Sequence, residues 1–230
     1  MKDSLGDRMK GHYENRGRYK LTRRTPVIIR LDGRAFHTYT KELKPFDAKL
    51  SRSMLHAARK LFNDAQGAVV GYTQSDEISL LLCDYDRLET EAWLDYNVDK
   101  LCSISASVVT AHFNSVMDNH KLAYFDARAF NIPESEVANY FLWRAKDCYR
   151  NSVFTYARQH FSHKELHGLS THYVLELLDD YGLNYEKLTA YKKYGIFLLR
   201  HGLKIVRPSF TNINAIIQGA TRDETAGGNS

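Results

Sequence analysis

The pattern of hydrophobic and polar positions in the first half of the chain predicts alternating strands and helices. Apolar, β-branched runs bounded by turn residues predict strands, and apolar residues at helical spacing predict helices. The predicted elements are, in order, a strand at 26–32, a helix at 47–63 capped by Asp47, strands at 68–73 and 78–83, a helix at 96–117 and a strand at 122–125. This βαββαβ order predicts an α+β fold with a ferredoxin-like sheet and helices on one of its faces.

After Pro133 the pattern changes, and helical spacing dominates. Helices are predicted at 134–161, 162–167 and 170–180, and a late apolar run at 195–200, followed by 204–206, predicts a hairpin. We therefore expect a sheet-containing domain with an N-terminal arm over 1–132. A helix-rich portion over 133–230 follows, and its hairpin is expected to pack on that domain.

Charge is distributed unevenly along the 230 residues. Residues 1–30 hold nine Lys and Arg against three acids, a net charge of +6, whereas the whole chain carries +5. Such a basic arm suits a polyanionic partner, because each phosphate contact releases counterions. A solubilising arm explains the same charge equally well, so charge alone leaves both interpretations open.

Composition argues against several classes of protein. No run of about 18 apolar residues is present, so no membrane-spanning helix is predicted. The first residues lack the apolar stretch of a secretory signal. The three cysteines lie far apart without a CxxC spacing, which indicates neither a zinc site nor a disulfide framework. A reducing, cytoplasmic location is expected.

Carboxylates mark two of the predicted strand ends. Asp32 ends the first strand, and Asp76 and Glu77 occupy the turn between the second and third strands. In a ferredoxin-like sheet the first and third strands are neighbours, so these carboxylates should converge at one edge. Two aspartates that share hard cations are what a pair of Mg²⁺ ions requires, and the Gly33 carbonyl suits the same shell. Asp-Gly and Ser-Asp-Glu are also ordinary turn sequences, and either one by itself would be interpreted as structural. A metal site is favoured because both occur at strand ends that are predicted to be adjacent.

Two longer blocks contain these carboxylates. Arg-Leu-Asp-Gly-Arg-Ala-Phe-His at 30–37 and Gly-Tyr-Thr-Gln-Ser-Asp-Glu-Ile-Ser at 71–79 resemble the signature blocks of the tRNA-histidine guanylyltransferase family. Supporting similarity comes from Asp-Ala-Arg at 126–128, Trp-Arg-Ala-Lys-Asp-Cys at 143–148, Phe-Ser-His-Lys-Glu-Leu-His-Gly at 161–168 and Tyr-Lys-Lys at 191–193. The resemblance extends from about residue 7 to residue 200, nearly the whole chain.

The resemblance implies a polymerase/cyclase-type palm that adds nucleotides in the 3′-to-5′ direction. It implies two Mg²⁺ ions at Asp32, the Gly33 carbonyl and Asp76, with Glu77 as a third catalytic residue in close support. Contacts to the nucleotide substrates, ATP and GTP, are implied for Arg30, Arg34, His37, Lys44, Asp47, Ser75 and Lys100. Contacts to tRNA are expected from Arg128, Asn151, Lys192 and Lys193. Lysine is a suitable point charge for phosphate, and a serine hydroxyl is a suitable donor.

One stretch departs from the eukaryotic members of the family. Where those enzymes carry His-Ile-Asn-Asn, this chain has Tyr-Arg-Asn-Ser at 149–152. The departure indicates the like-protein branch, which is associated with template-dependent repair of tRNAs truncated at the 5′ end. ATP would first adenylylate a 5′-monophosphate, and the 3′-hydroxyl of the incoming nucleotide would then attack the 5′-phosphate. The resemblance also suggests a homotetramer.

Three other functions fit parts of the same evidence. Untemplated guanylate addition to histidine tRNA would use the same site, and a palm-type nucleotide cyclase would use the same carboxylates without RNA. A pure RNA-binding module would use the basic arm alone.

Overall fold

An antiparallel β-sheet forms the centre of the structure, a computed structural model that describes residues 4–85 and 87–226. Within those residues the sheet has six strands in the order β4-β1-β3-β2-β5-β6. They are β1 (Val27–Gly33), β2 (Ala68–Gln74), β3 (Glu77–Leu82), β4 (Phe125–Asn131), β5 (Ile196–Leu199) and β6 (Gly202–Lys204). The predicted adjacency of the first and third strands is confirmed. The late hairpin is also confirmed, and it extends the sheet by pairing β5 with β2.

Helices cover both faces of the sheet: the two helices of the predicted βαββαβ unit share one face, as expected, and helices of the C-terminal portion cover the other. The described helices are α1 (Leu5–His12), α2 (Phe36–Tyr39), α3 (Ala48–Asp64), α4 (Val98–Met117), α5 (Glu134–Ala157), α6 (His163–Leu166), α7 (Thr171–Asp180), α8 (Ala190–Tyr194) and α9 (Phe210–Ala226). The predicted cap of α3 is confirmed, because the Asp47 side chain accepts a hydrogen bond from the Leu50 amide at 2.7 Å. Helices α1, α2, α8 and α9 were not predicted.

Two apolar clusters lie on opposite faces of the sheet. On one face α3 and α4 pack against alternate residues of the central strands, such as Ile29 and Leu80. On the other face, α5 and α9 pack against the intervening residues, such as Ile28 and Leu81. The period-two alternation of β1 therefore divides its side chains between two cores. A third cluster, around Val174, joins the C-terminal half of α5 to α6 and α7.

The fourth strand lies further along the chain than predicted. The apolar residues at 122–125 suggested a strand, but Leu122 and Tyr124 are exposed, and β4 runs from Phe125 to Asn131. In β4, exposed Asp126 and Arg128 alternate with partly buried alanines. This strand lies at the edge of the sheet, where alternation indicates a strand better than continuous apolar character does.

None of the helices formed by residues 4–85 and 87–226 is long and apolar enough to cross a membrane.

Candidate active site at the carboxylate edge

Asp32 and Asp76 meet at one edge of the sheet, as the topology predicted. Asp32 at the end of β1 pairs in register with Glu77 at the start of β3. The Gly33 amide donates a hydrogen bond to the Asp76 carbonyl at 3.1 Å, which joins the strand end directly to the β2–β3 turn. Ser75 holds a left-handed backbone in that turn, with φ of +49°. Strained backbone of this kind is common at functional sites.

The electrostatics of this edge suit a cation. Burial raises the pKa of the Asp76 carboxyl, and the negative charges of Asp32 and Glu77 raise it further, against hydrogen bonds that lower it. Asp32 remains partly exposed, with 38% of its side chain accessible. A divalent cation would relieve the repulsion between the two aspartates, and their oxygens are hard ligands.

The described part of the chain contains no site in which side chains alone would complete the coordination of a metal ion. No group of three or more His, Cys, Asp or Glu side chains there could hold a metal ion. The available donors are the carboxylates of Asp32 and Asp76 with nearby backbone carbonyls such as that of Gly33. Magnesium is commonly bound in this way, through one or two carboxylates completed by water and substrate phosphates.

Glu77 differs from the two aspartates because its carboxylate is fully engaged. It is buried, and Arg144 of α5 donates a hydrogen bond to each of its oxygens. Nε donates to Oε1 at 2.7 Å, and Nη2 donates to Oε2 at 2.6 Å. Arg30 adds a third hydrogen bond to Oε2 at 2.9 Å, and its Nη2 also lies 3.6 Å from Asp32 Oδ2. Glu77 therefore holds two arginines beside the aspartates.

The register of the sheet arranges the α5 side into rows of increasing polarity. The row nearest the start of β1 is apolar and consists of Phe130, Ile28, Leu81 and Val70. The next row is mixed and consists of Arg128, Arg30, Ser79 and Tyr72. The row at the edge consists of Asp126, Asp32, Glu77 and Gln74. The aspartates thus lie at the polar end of a gradient that begins in the core.

A cavity of about 150 Å³ opens beside this edge, on the β2 side. Its lining includes residues from α3, the β2–β3 turn, α5 and α8, among them Asp47, Ser75, Asn151 and Lys192. The structure therefore brings together two residues predicted to bind nucleotide and two predicted to bind RNA. Lys192 Nζ lies 5.7 Å from the centroid of the Phe46 ring, which also lines the cavity.

Four other predicted residues lie on exposed surface. Arg34 and His37 follow the end of β1, Lys44 lies shortly before α3, and Arg128 lies on β4. Arg34 is tied to the loop before β4 through its amide, which donates to the Tyr124 carbonyl at 2.8 Å. These side chains are accessible to a ligand from solvent.

Two predicted residues are placed elsewhere. Lys100 lies in the first turn of α4, and α4 begins after β3 has crossed the sheet, so Lys100 is at the end opposite Asp32. Lys193 was expected to contact RNA, but it is only 6% exposed, and its Nζ is 2.7 Å from Glu186 Oε2. A buried lysine bonded to a carboxylate serves packing, so this expectation was wrong.

Two residues at the edge, Asp126 and Arg144, were given no role from the sequence, and Trp143 was one of several C-terminal aromatics that could either stack on RNA bases or belong to the core. Asp126 was missed because the fourth strand was misplaced, which hid its register opposite Asp32. Trp143 and Arg144 belong to a block quoted for its resemblance, and their contacts with Arg30 and Glu77 depend on how α5 packs. Of the two without a role, only Asp126 could have been identified from the sequence, through the alternation of polar and apolar residues at 125–131.

A sheet of an α+β fold that presents paired aspartates beside a cavity lined by a lysine and a serine is an arrangement suited to a nucleotide. Comparison with known families gives the class of enzyme. The family model described as tRNAHis guanylyltransferase (Thg1) matches residues 6–133, more than half of the chain. The chain therefore belongs to the Thg1 family and is a nucleotidyltransferase.

Solved structures and a curated relative show the same similarity. A bacterial tRNA(His) guanylyltransferase (Thg1)-like protein in complex with ATP is 39% identical, with a TM-score of 0.87 over 95% of this chain and 99% of that one. A bacterial Thg1-like protein in complex with GTP is 37% identical, with a TM-score of 0.82 over the same shares. The tRNA(His) guanylyltransferase of Schizosaccharomyces pombe is 30% identical over 145 residues, which are 59% of this chain and 54% of that protein.

Proposed function

We propose that this enzyme adds nucleotides in the 3′-to-5′ direction to the 5′ end of truncated tRNAs, with the opposite acceptor strand as template. The observation that carries the proposal is the meeting of Asp32 and Asp76 at one sheet edge in a chain of the Thg1 family. The 95% coverage shared with bacterial Thg1-like proteins that bind ATP and GTP supports it. In this proposal the sheet acts as a polymerase-type palm.

Asp32, Asp76 and the Gly33 carbonyl are the proposed ligands of two Mg²⁺ ions. Magnesium bound there would lower the pKa of the attacking hydroxyl and offset charge on the leaving group. The two carboxylates would hold these ions, while Arg30, held by Glu77, contributes positive charge close to Asp32. We propose that Glu77 acts through the arginines it holds, because its oxygens are already bonded.

The reaction has one or two steps, according to the RNA end. A 5′-monophosphate first attacks the α-phosphate of ATP, which releases pyrophosphate and leaves an adenylylated end. The 3′-hydroxyl of the incoming nucleotide then attacks the 5′-phosphate of the RNA and displaces AMP, or pyrophosphate when the end is a triphosphate. The chain's contribution is chiefly positioning and charge neutralisation.

The cavity beside β2 is the proposed nucleotide site. Asp47, Ser75, Asn151 and Lys192 line it. A lysine and a serine there suit phosphate oxygens. In the sequence, exposed Lys44 comes shortly before Asp47, which lines the cavity. Exposed Arg34 and His37 come shortly after Asp32.

The altered stretch at 149–152 supports the repair branch. Tyr149 packs in the helical portion, with its ring 5.8 Å from that of Tyr194, and the Ser152 hydroxyl is hydrogen-bonded to that of Tyr185. Two of the four positions thus serve packing. Arg150 stays exposed, and Asn151 lines the cavity, so these two residues are the part of the stretch that a ligand can reach most readily.

An extension assay tests the activity. A tRNA transcript lacking its first nucleotide would be incubated with Mg²⁺, ATP and labelled nucleotides, with wild type, Asp32→Ala and Asp76→Ala. We expect either substitution to lower the rate by about 10³-fold or more, as loss of a central charge-stabilising group does. Asp64→Ala is the matched control, an exposed aspartate at the far end of α3. Conversion of nucleotide alone to a cyclic product would favour a cyclase, and tight tRNA binding without extension would favour a binding module.

A second assay separates repair from guanylate addition. The acceptor nucleotide opposite the missing position would be changed, and the added nucleotide identified. We expect the added nucleotide to follow base pairing. Addition of guanylate whatever the opposite nucleotide, with a preference for full-length histidine tRNA, would overturn the repair assignment.

We also propose a homotetramer, because one chain of 26.5 kDa offers little surface to hold both the acceptor stem and the elbow of a tRNA. Light scattering after gel filtration should give the mass of four chains. A monomer in the presence of tRNA would contradict this.

A further inference from the structure

The indole of Trp143 is exposed on α5, where large aromatic side chains are otherwise packed. It is 54% exposed, whereas its neighbours Tyr140 and Phe141 are buried, and Trp93 is only 9% exposed. The Arg144 guanidinium lies 4.3 Å from the ring centroid, and Tyr140 contacts the ring edge-on. Since more than half of the side chain stays accessible above these contacts, a broad aromatic surface faces solvent.

Trp143 lies next to the carboxylate edge. Its ring centroid is 5.9 Å from the Arg30 guanidinium, and Arg30 is 3.6 Å from Asp32. The indole also rests on Arg144, which is fixed by two hydrogen bonds to buried Glu77. The aromatic surface is therefore held in place by the same ion network that borders the aspartates.

Trp143 and the cavity lie on different sides of the aspartates. The cavity is bounded by the end of β2, by α3, by α8 and by the middle of α5 from Cys148 onwards. Trp143 lies more than one turn earlier on α5 and contacts Arg30 on β1. Beyond β1 lies the edge strand β4, with exposed Arg128 in register beside Arg30. A ligand on the Trp143 side would thus contact the exposed indole and, beyond β1, the edge strand β4 with its exposed Arg128.

We propose that Trp143 stacks on a nucleobase of the RNA at or next to its 5′ end, and so positions that end at the aspartates. The inference rests on the proposed function, since it assigns the RNA to this side and the incoming nucleotide to the cavity. Exposed aromatic rings interleaved with arginines are the usual means by which proteins hold unpaired bases. Arg128, whose Nη2 lies 3.3 Å from Asp126 Oδ1 in an exposed ion pair, would turn to the adjoining phosphate when RNA binds.

Fluorescence tests the stacking without catalysis. The chain has two tryptophans, so Trp93→Phe leaves Trp143 as the only tryptophan, which is excited selectively at wavelengths where tyrosine does not absorb. In that background, 5′-truncated tRNA without nucleotide should quench the emission with the same midpoint as filter binding, and ATP or GTP alone should not. Unchanged emission at saturating RNA would overturn the proposal, and so would quenching by nucleotide alone, because the base would then belong to the nucleotide.

Kinetics test positioning. Trp143→Leu keeps an apolar contact with Arg144 and removes the aromatic face, so we expect KM for the RNA to rise about tenfold while KM for the nucleotide stays the same. Trp143→Phe keeps a ring and should restore most of the affinity. A lower thermal midpoint with an unchanged KM for RNA would show that the indole serves only to cover Arg144, which contradicts the proposal.

These outcomes separate the two proposals. If wild type extends the RNA and the Trp143 variants match it, only the stacking assignment fails. If wild type does not extend any tRNA, the proposed function fails, and the fluorescence titration still decides whether RNA stacks on the indole.

Discussion

The two faces of the sheet are built from the same strands and differ in chemistry. The face covered by α3 and α4 receives only apolar side chains from β1 and β3, which are Val27, Ile29, Leu31, Ile78, Leu80 and Leu82. The face covered by α5 and α9 changes from an apolar row to an acidic row within the length of one strand. One face is a core throughout, and the other is a core at one end and a site at the other.

This difference shows how the site is kept rigid. Asp32 lies only four positions along one strand from fully buried Ile28. The two residues before Asp32, Leu31 on the core face and Arg30 in the ion network, leave its backbone little freedom. Functional groups supported by packed strands are held more accurately than groups on loops. Substitution of some polar residues on the α5 face should therefore lower the free energy of unfolding as core substitutions do. Substitutions on the α3–α4 face should lower the free energy of unfolding without changing the activity of the folded enzyme.

The largest effect on stability is expected at Arg144. Arg144→Met leaves the Glu77 carboxylate buried with part of its hydrogen bonding lost, which should lower the free energy of unfolding by about 4 kcal/mol. Urea unfolding followed by circular dichroism measures this. Arg150→Met is the matched control, because Arg150 pairs with Asp147 as Arg144 does but is 63% exposed, and its loss should cost less than about 1 kcal/mol.

A double variant identifies the cause. Glu77→Gln combined with Arg144→Met removes the unpaired charge, so it should be more stable than Arg144→Met alone. Equal losses from Arg144→Met and Arg150→Met would show that the buried pair is not part of the core, and the comparison of the two faces would fail there.

A smaller loss is expected on the apolar face. Leu80 is fully buried between the sheet and its helices, so Leu80→Ala should cost about 3 kcal/mol through lost burial and a cavity. The extension rate per folded molecule should stay unchanged at a temperature where the variant is folded. Leu122→Ala, the same substitution at an exposed leucine, should change stability by less than about 0.5 kcal/mol. A large fall in the rate constant of folded Leu80→Ala would break the separation of the two faces.

The smallest effect is expected at Tyr72, in the mixed row. Its hydroxyl donates to the Tyr194 carbonyl at 2.8 Å and ties β2 to the segment that leads into β5. Tyr72→Phe removes one neutral hydrogen bond and should cost about 1 kcal/mol in urea unfolding. Tyr124→Phe, at an exposed tyrosine, should have no measurable effect. A loss as large as that of Leu80→Ala would place the mixed row with the core.

Much of the site was predictable because its parts are local. The apolar run before Asp32 and the tight turn at Asp76 define two strand ends, and the order of the strands makes them neighbours. The adjacency needed no knowledge of side-chain packing. The error at β4 was also local, since a short apolar run was preferred to the alternation that marks an edge strand, and it concealed Asp126.

The sequence by itself determined the central strands β1, β2 and β3, helices α3 to α7 and the meeting of Asp32 with Asp76, since these follow from periodicity and turn chemistry over short spans. Tertiary structure alone decided which charged groups are buried and what they contact. The bonding of Glu77 to Arg144, the burial of Lys193 and the exposure of Trp143 all depend on how α5 and α8 lie against the sheet. In the sequence, Arg144 is 67 positions from Glu77, and Trp143 is 113 positions from Arg30. Lys193 is 7 positions from Glu186. Contacts of this kind are set by packing, which residue type and spacing do not specify.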